Sequence, residues 1–187
     1  MGLKIVDKLD ETRWLDFVNS HPNGNIFHTP YMFRVFERTK NYEPIFFVAM
    51  DEKTDEILSL LLSLQIKTAE KVPRKLGSRA VIYGGVLHKE NAAQDSLIEL
   101  LKVYDDVTEP NGLFTEIRSL SNSNDIRETS EHQGYRYEEH LNYLIDLGRN
   151  PDDIFADFSK YRRRDIKKAI HRGVKVEKIG DKRLIPI

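Results

Sequence analysis

Residues 44–67, PIFFVAMDEKTDEILSLLLSLQIK, decide how this chain folds. Pro44 to Met50 is an almost continuous β-rich run (Ile45, Phe46, Phe47, Val48), the pattern of a strand covered on both faces. Asp51 to Glu56 is a charged turn, and Ile57 to Lys67 is a second, longer strand. The two runs form an antiparallel hairpin. A third strand of the same group, Arg79 to Tyr83, follows a polar loop from Lys71 to Ser78 and runs into Gly84-Gly85.

On the N-terminal side lie a short strand, Leu3 to Val6, and two helices. Glu11 to Ser20 presents Trp14, Phe17 and Val18 at i, i+3 and i+4. His-Pro-Asn-Gly-Asn at 21–25 breaks that helix with turn-forming residues. The next helix starts with Thr29 as N-cap and Pro30 at its first position. It is expected to turn Tyr31, Met32, Val35 and Phe36 inward, with Arg34 and Arg38 one turn apart on another face.

On the C-terminal side, Asn91 to Val107 is an amphipathic helix with Ala93, Leu97, Leu100, Leu101 and Tyr104 at helical spacing. Leu113 to Arg118 returns as a strand, and Asp125 to Gln133 is a helix stopped by Gly134. Tyr135 to Leu147 is expected to hold one or two more strands. Pro151 opens a helical region that stops at Gly173, and Val174 to Ile179 alternates like a strand. The order β, α, α, β, β, β, α, β, α, β is that of the GNAT acyltransferase fold. The expected class is therefore α/β (α+β), a mixed, mostly antiparallel sheet with helices on both faces. The boundary expected from the polar link Gly148-Arg149-Asn150-Pro151 divides the chain into 1–147 and 148–187.

Composition narrows the function classes. With no cysteine, disulfides and thiolate metal sites are excluded. The histidines at 21, 28, 88, 132, 140 and 171 show no metal-ligand spacing, so no metal is expected. No apolar run approaches the roughly 20 residues of a membrane span, and the charged N-terminus does not read as a signal peptide. A cytoplasmic location is expected.

The formal charge of −1 conceals a polarised chain: residues 1–159 carry 18 basic and 27 acidic side chains, a net of −9. Residues 160–175 carry eight of the 29 Lys and Arg side chains and one acidic residue, Asp165. Three roles fit this basic helix: a wall of a phosphate-rich cleft, a polyanion-binding patch in its own right, or a solvated face whose Ile166, Ala169 and Ile170 pack inward.

GNAT enzymes hold the coenzyme A pyrophosphate on a Gln/Arg-x-x-Gly-x-Gly/Ala turn between the fourth strand and the central helix. Here that turn is Tyr83-Gly84-Gly85-Val86-Leu87-His88-Lys89-Glu90-Asn91, which lacks the signature. The approximate match Arg74-Lys-Leu-Gly77-Ser-Arg79 precedes the strand and reads as chance. Coenzyme A is not expected as a cofactor of this domain.

The chain resembles the Fem-type (FemABX) aminoacyltransferases, which add amino acids to peptidoglycan precursors. The likeness rests on Trp14-x-x-Phe17-Val18, on Pro22-x-Gly24-x-Ile26-Phe27 leading to the helix with Arg34, and on Tyr42-Glu43-Pro44. It continues through Tyr83-Gly84-Gly85-Val86, Gly134-Tyr135 and His140-Leu-Asn-Tyr-Leu-Ile-Asp-Leu147. Its most specific part is Tyr161-Arg-Arg-Arg-Asp-Ile-Lys-Lys-Ala169-Ile-His-Arg-Gly173-Val-Lys-Val176.

The resemblance implies two GNAT-like domains with the acceptor between them. The donor would be aminoacyl-tRNA or another activated acyl group, and the acceptor a phosphorylated, nucleotide- or lipid-linked molecule. Arg34, Arg162, Arg163, Arg164 and Lys167 would meet its phosphates, and Tyr31, Tyr83, Gly84 and Gly85 would line the cleft. The resemblance also implies a second domain that begins near Asn150 and extends beyond Ile187. No catalytic residue is then assigned, and the chain alone is expected to bind or to be inactive unless another chain completes that domain. The alternative is a non-enzymatic module that holds a phosphorylated ligand or docks a full-length relative.

Overall fold

The computed structural model describes residues 2–68, 73–120, 124–140 and 144–176. The chain divides into two compact units, Met1–Glu138 and Glu139–Ile187.

The first unit is built on one mixed sheet. Its strands are β1 (Leu3–Val6), β2 (Tyr42–Asp51), β3 (Ile57–Lys67), β4 (Ser78–Gly84), β5 (Leu87–His88) and β6 (Thr115–Ser119). The order across the sheet is β1-β2-β3-β4-β6, with β5 also paired to β3. All pairings are antiparallel except β4 with β6, which is parallel. The expected hairpin at 44–67 is present. Its turn is set by Asp51, whose side chain accepts hydrogen bonds from the amides of Lys53 (2.8 Å) and Thr54 (2.9 Å).

Helices α1 (Glu11–Ser20) and α2 (Pro30–Glu37) cover one face, joined by a 3₁₀ turn at Ile26–His28. Each helix starts where its sequence dictates. Asp10 accepts from the amides of Thr12 and Arg13 at 3.1 Å each, and Thr29 accepts from the Met32 amide at 3.3 Å. Under α1, Trp14 stacks on Phe46 with ring centroids 3.8 Å apart, in a core with Val18, Val48, Met50, Leu60 and Leu62. A short helix α3 (Arg74–Gly77) precedes β4. Helices α4 (Gln94–Thr108) and α5 (Asn124–His132) follow. Leu97, Leu100, Leu101 and Tyr104 of α4 are fully buried against the other face, with Ala49, Leu61, Ala80 and Ile82.

Four expectations need correction. On α2 the buried face is Phe36, with Met32 and Phe33 half-buried, while Tyr31 and Val35 face solvent. Phe33 takes the inward position because its ring meets the edge of Trp14 at 5.9 Å. Ala93 is the N-cap of α4 and not part of its apolar stripe.

No strand forms in the described residues 135–140 and 144–147. Tyr135 is drawn to α4 by a 2.5 Å hydrogen bond from its hydroxyl to Asp105, and its amide donates to the Ser130 carbonyl. The Arg127 guanidinium lies 3.8 Å from the centre of the Tyr137 ring. These contacts hold Tyr135 to Tyr137 beside α4 and α5 rather than in a ladder. Val174 to Val176 are likewise not strand, and the remainder of that expected strand lies outside the described residues.

In the second unit, α6 (Pro151–Asp157) and α7 (Lys160–His171) are separated by Phe158 and Ser159. Asn150 caps α6, Ser159 caps α7, and Gly173 ends the region with φ +81. Among the described residues no helix is long and apolar enough to cross a membrane.

Candidate functional site

The sheet opens where β4 leaves β3. Leu64 pairs with Val81 and Leu60 with Leu87, so three residues of β3 face five, Ile82 to Val86, on the other strand. The two extra residues are taken up at Gly84 and Gly85, with φ +85 and +86, values that suit glycine. A Cβ on Gly84 would lie 2.8 Å from His28 Cε1, and one on Gly85 would lie 3.0 Å from Ser119 Oγ. The backbone here is therefore held against the 3₁₀ turn on one side and β6 on the other.

His28 secures this bend. It is fully buried, and its Nε2 donates to the Gly85 carbonyl at 3.1 Å, while its Nδ1 accepts from the Asn25 amide at 3.3 Å. The Trp14 indole N–H donates to the His28 carbonyl at 2.5 Å. Burial pushes the His28 pKa down to about 4, with the Gly85 hydrogen bond opposing and His21 assisting.

Just below the bend, β4 and β6 run parallel with their C-terminal ends together, the usual position of a ligand crevice in a sheet of this kind. Alternation puts Arg79, Val81 and Tyr83 of β4, and Glu116 and Arg118 of β6, on the face that carries α1 and α2. Tyr83 is half-buried. Its ring lies 5.5 Å from Phe27, 6.3 Å from Phe36 and 5.5 Å from the Arg118 guanidinium. Arg118 grips Glu116 with two bonds, Nε at 2.9 Å and Nη2 at 3.0 Å, and Arg79 approaches the same carboxylate at 3.8 Å.

Of the expected cleft residues, Tyr83, Gly84 and Gly85 meet at this bend. Tyr31 and Arg34 lie on the outer face of α2, where the Arg34 guanidinium sits 5.2 Å from the Tyr31 ring centre and pairs with Glu11 of α1. Arg118, Glu116 and His28 were not singled out from the sequence. The i, i+2 spacing of Glu116 and Arg118 in a strand does signal a shared face.

In the second unit, α7 separates its cations by face. At about 100° per residue, Lys160, Arg164, Lys167, Lys168 and His171 share an arc of about 100°. Opposite them stand the half-buried Ile166 and Ala169 with the exposed Arg162 between them, and the half-buried Arg163 lies at the margin of the cationic arc, about 40° from Lys167. Arg163 donates to the Ala156 carbonyl at 2.6 Å and so joins α7 to the end of α6. Arg164 lies 3.6 Å from Asp165. Lys160, Arg162, Lys167, Lys168 and Arg172 make no ion pair among the described residues; in the first unit Lys4, Arg13, Arg34, Lys89, Lys102 and Arg127 do, while Lys8, Arg38 and Lys67 do not.

A transcriptional regulator from Bacillus halodurans C-125 has a similar structure, with TM-score 0.52 and 16% identity over 77% of this chain and 100% of that one. An aminoglycoside acetyltransferase from an uncultured soil metagenomic sample matches with TM-score 0.53 and 14% identity, over 79% and 99%. Glucosamine-6-phosphate N-acetyltransferase from Arabidopsis thaliana gives 0.51 and 12%, over 78% and 100%. The fold is GNAT. No protein-family model and no curated protein sequence matches the chain. At these identities the likeness establishes the GNAT fold alone.

The GNAT fold directs attention to the turn before α4 as a coenzyme A site. Its residues do not suit a pyrophosphate. The Lys89 charge is already paired with Glu56, Glu90 follows, and Asp95 occupies the first turn of α4, where the phosphates would sit. Among the described residues no group of His, Asp and Glu could hold a metal ion.

Proposed function

We propose that the chain is the acceptor-holding part of a Fem-like aminoacyl or acyl transferase whose acceptor carries phosphate. The observation that carries this reading is the outer face of α7, with Lys160, Lys167 and Lys168 free of ion pairs among the described residues and Arg164 beside them. Cations left without carboxylate partners at a soluble surface favour a phosphate-bearing ligand. The GNAT crevice at Gly84–Gly85 and the poor fit of its turn to coenzyme A agree with a donor of another kind, such as aminoacyl-tRNA.

The chemistry is attack by an acceptor amine on the carbonyl carbon of an activated ester. A C–N bond forms and the C–O bond to the leaving group breaks. The proton lost by the amine leaves on the released hydroxyl. The protein's part is to position the acceptor and to offset its charge. In the second unit Arg164 and Lys167 of α7 would hold phosphate; in the first unit, taken by itself, Arg34 would do so after exchanging Glu11 for it. On α7 Arg163 lies beside Lys167 and Arg162 on the opposite face; in the first unit Tyr83, Gly84 and Gly85 would line a cleft at the bend, and Tyr31 lies with Arg34 on the outer face of α2.

The test is to incubate the purified chain with aminoacyl-tRNA and a nucleotide-linked muropeptide and to follow the acceptor by mass spectrometry. The reading expects saturable acceptor binding, with transfer detected as the mass of one added aminoacyl group. Binding without a mass gain favours the module that holds a phosphorylated ligand without chemistry. Neither binding nor transfer would overturn both.

A further inference from the structure

We infer that Arg118, with Arg79 beside it, forms a separate oxyanion site on the β4–β6 face, and that Glu116 occupies this site in the ligand-free protein. Nothing in the sequence resemblance assigns these residues a role. The ligand class, a phosphorylated molecule, is taken from the function proposed above, but the site belongs to the first unit and does not depend on α7.

Four observations support it. Arg118 holds Glu116 through two parallel N–H···O bonds of 2.9 and 3.0 Å, the fork geometry in which arginine also binds phosphate and ligand carboxylates. Two guanidiniums, those of Arg118 and Arg79, converge on this one carboxylate within an otherwise acidic body. The cluster runs along the parallel strand pair, with Glu116 opposite Val81 and Arg118 opposite Tyr83, so that Arg118 lies next to the bend at Gly84–Gly85. The guanidinium is also pre-positioned. The Tyr83 ring lies 5.5 Å from it and is itself fixed by Phe27 and Phe36.

Energetics favour exchange over a permanent structural bridge. The Glu116 and Arg118 side chains are 39% and 45% exposed. Ion pairs that accessible contribute about 0–1 kcal/mol. An incoming phosphate brings up to about two negative charges against one and fits the same fork. Glu116 thus keeps the arginine fork organised and yields it to a more highly charged oxyanion.

The experiment is isothermal titration of the chain with inorganic pyrophosphate, and separately with succinate, at low salt. It compares wild type, Arg118→Gln, Glu116→Gln and the α7 double variant Arg164→Ala/Lys167→Ala. Arg118→Gln should weaken binding by about tenfold or more, and Glu116→Gln, which removes the internal competitor, should strengthen it by about threefold or more. Preference for pyrophosphate over succinate identifies a phosphate site, and the reverse a carboxylate site. The opposite signs of the two variants distinguish an anion site from a structural bridge, where both substitutions would act alike.

The inference is overturned if wild type binds neither anion, if both variants weaken binding, or if only the α7 variant changes it. In the last case the function proposed above survives without this site. Loss of binding in Arg118→Gln with the α7 variant unchanged would leave this site standing and remove α7 from the reading.

Discussion

His28 Nε2 donates a 3.1 Å hydrogen bond to the carbonyl of Gly85, and this joins the turn after α1 to the bend at which the sheet opens. Only the neutral ring fits. A proton on Nδ1 would face the amide N–H of Asn25, a second donor, with no acceptor between them.

The first prediction is a pH dependence of stability. The folded pKa of about 4 lies below the ordinary 6.5, so the unfolded chain binds the additional proton between those values. The contribution of neutral His28 is complete above about pH 6.5 and is lost as pH falls toward 4, amounting to about 3 kcal/mol. Urea unfolding at pH 7.0 and 4.5 should show the loss, and His28→Gln should flatten it. A wild-type slope that persists in His28→Gln would assign the effect to other groups.

The second concerns the bend itself. Gly84→Ala forces a Cβ onto His28 and into left-handed backbone, and should cost about 2 kcal/mol or more. Gly85→Ala meets Ser119 Oγ, a side-chain atom able to rotate away, and should cost less. Thermal midpoints of the two variants give the order directly.

The third tests the core beneath α1. Trp14 is the single tryptophan, 5% exposed, stacked on Phe46 and hydrogen-bonded to His28. Trp14→Ala should cost about 3–5 kcal/mol by the cavity alone. Trp14→Phe should retain most of the packing yet leave the His28 carbonyl without its donor. Denaturant midpoints should rank wild type, Trp14→Phe and Trp14→Ala in descending order.

The fourth concerns Tyr104. Its hydroxyl is buried with Ser63 Oγ at 2.8 Å and Thr115 Oγ1 at 3.3 Å, and burial raises its pKa. Tyr104→Phe keeps the ring and should cost about 1–2 kcal/mol from the partners left unsatisfied. Equilibrium unfolding measures it, and a double variant with Ser63→Ala should recover part of the loss.

The hairpin and α1 were legible because their signals are local: β-branched and aromatic runs around a charged turn, and an apolar 3,4 spacing in the helix. The inward face of α2 was not, because Phe33 and Val35 are equally apolar and only the position of Trp14 decides between them. The segment after Gly134 alternates like a strand, yet Tyr135 and Tyr137 find partners on Asp105 and Arg127 that no spacing reveals. That β4 runs into Gly84-Gly85 was legible, but the contacts that hold this bend, to His28 and Ser119, are long-range and left no mark in the sequence. Glu116 and Arg118 share a face by their i, i+2 spacing, but that this is the face carrying α1 and α2, beside Tyr83, depends on long-range packing. His28 carried no sequence signal, since a single histidine before Thr-Pro has no pattern to distinguish it.

The central claim is tested most directly by titrating the chain with a nucleotide-linked muropeptide and with the same muropeptide stripped of its phosphates. Phosphate-dependent, saturable binding is predicted, weakening as salt is raised and falling about tenfold or more in Arg164→Ala/Lys167→Ala. Equal binding of the two ligands, or none of either at low salt, would contradict the account.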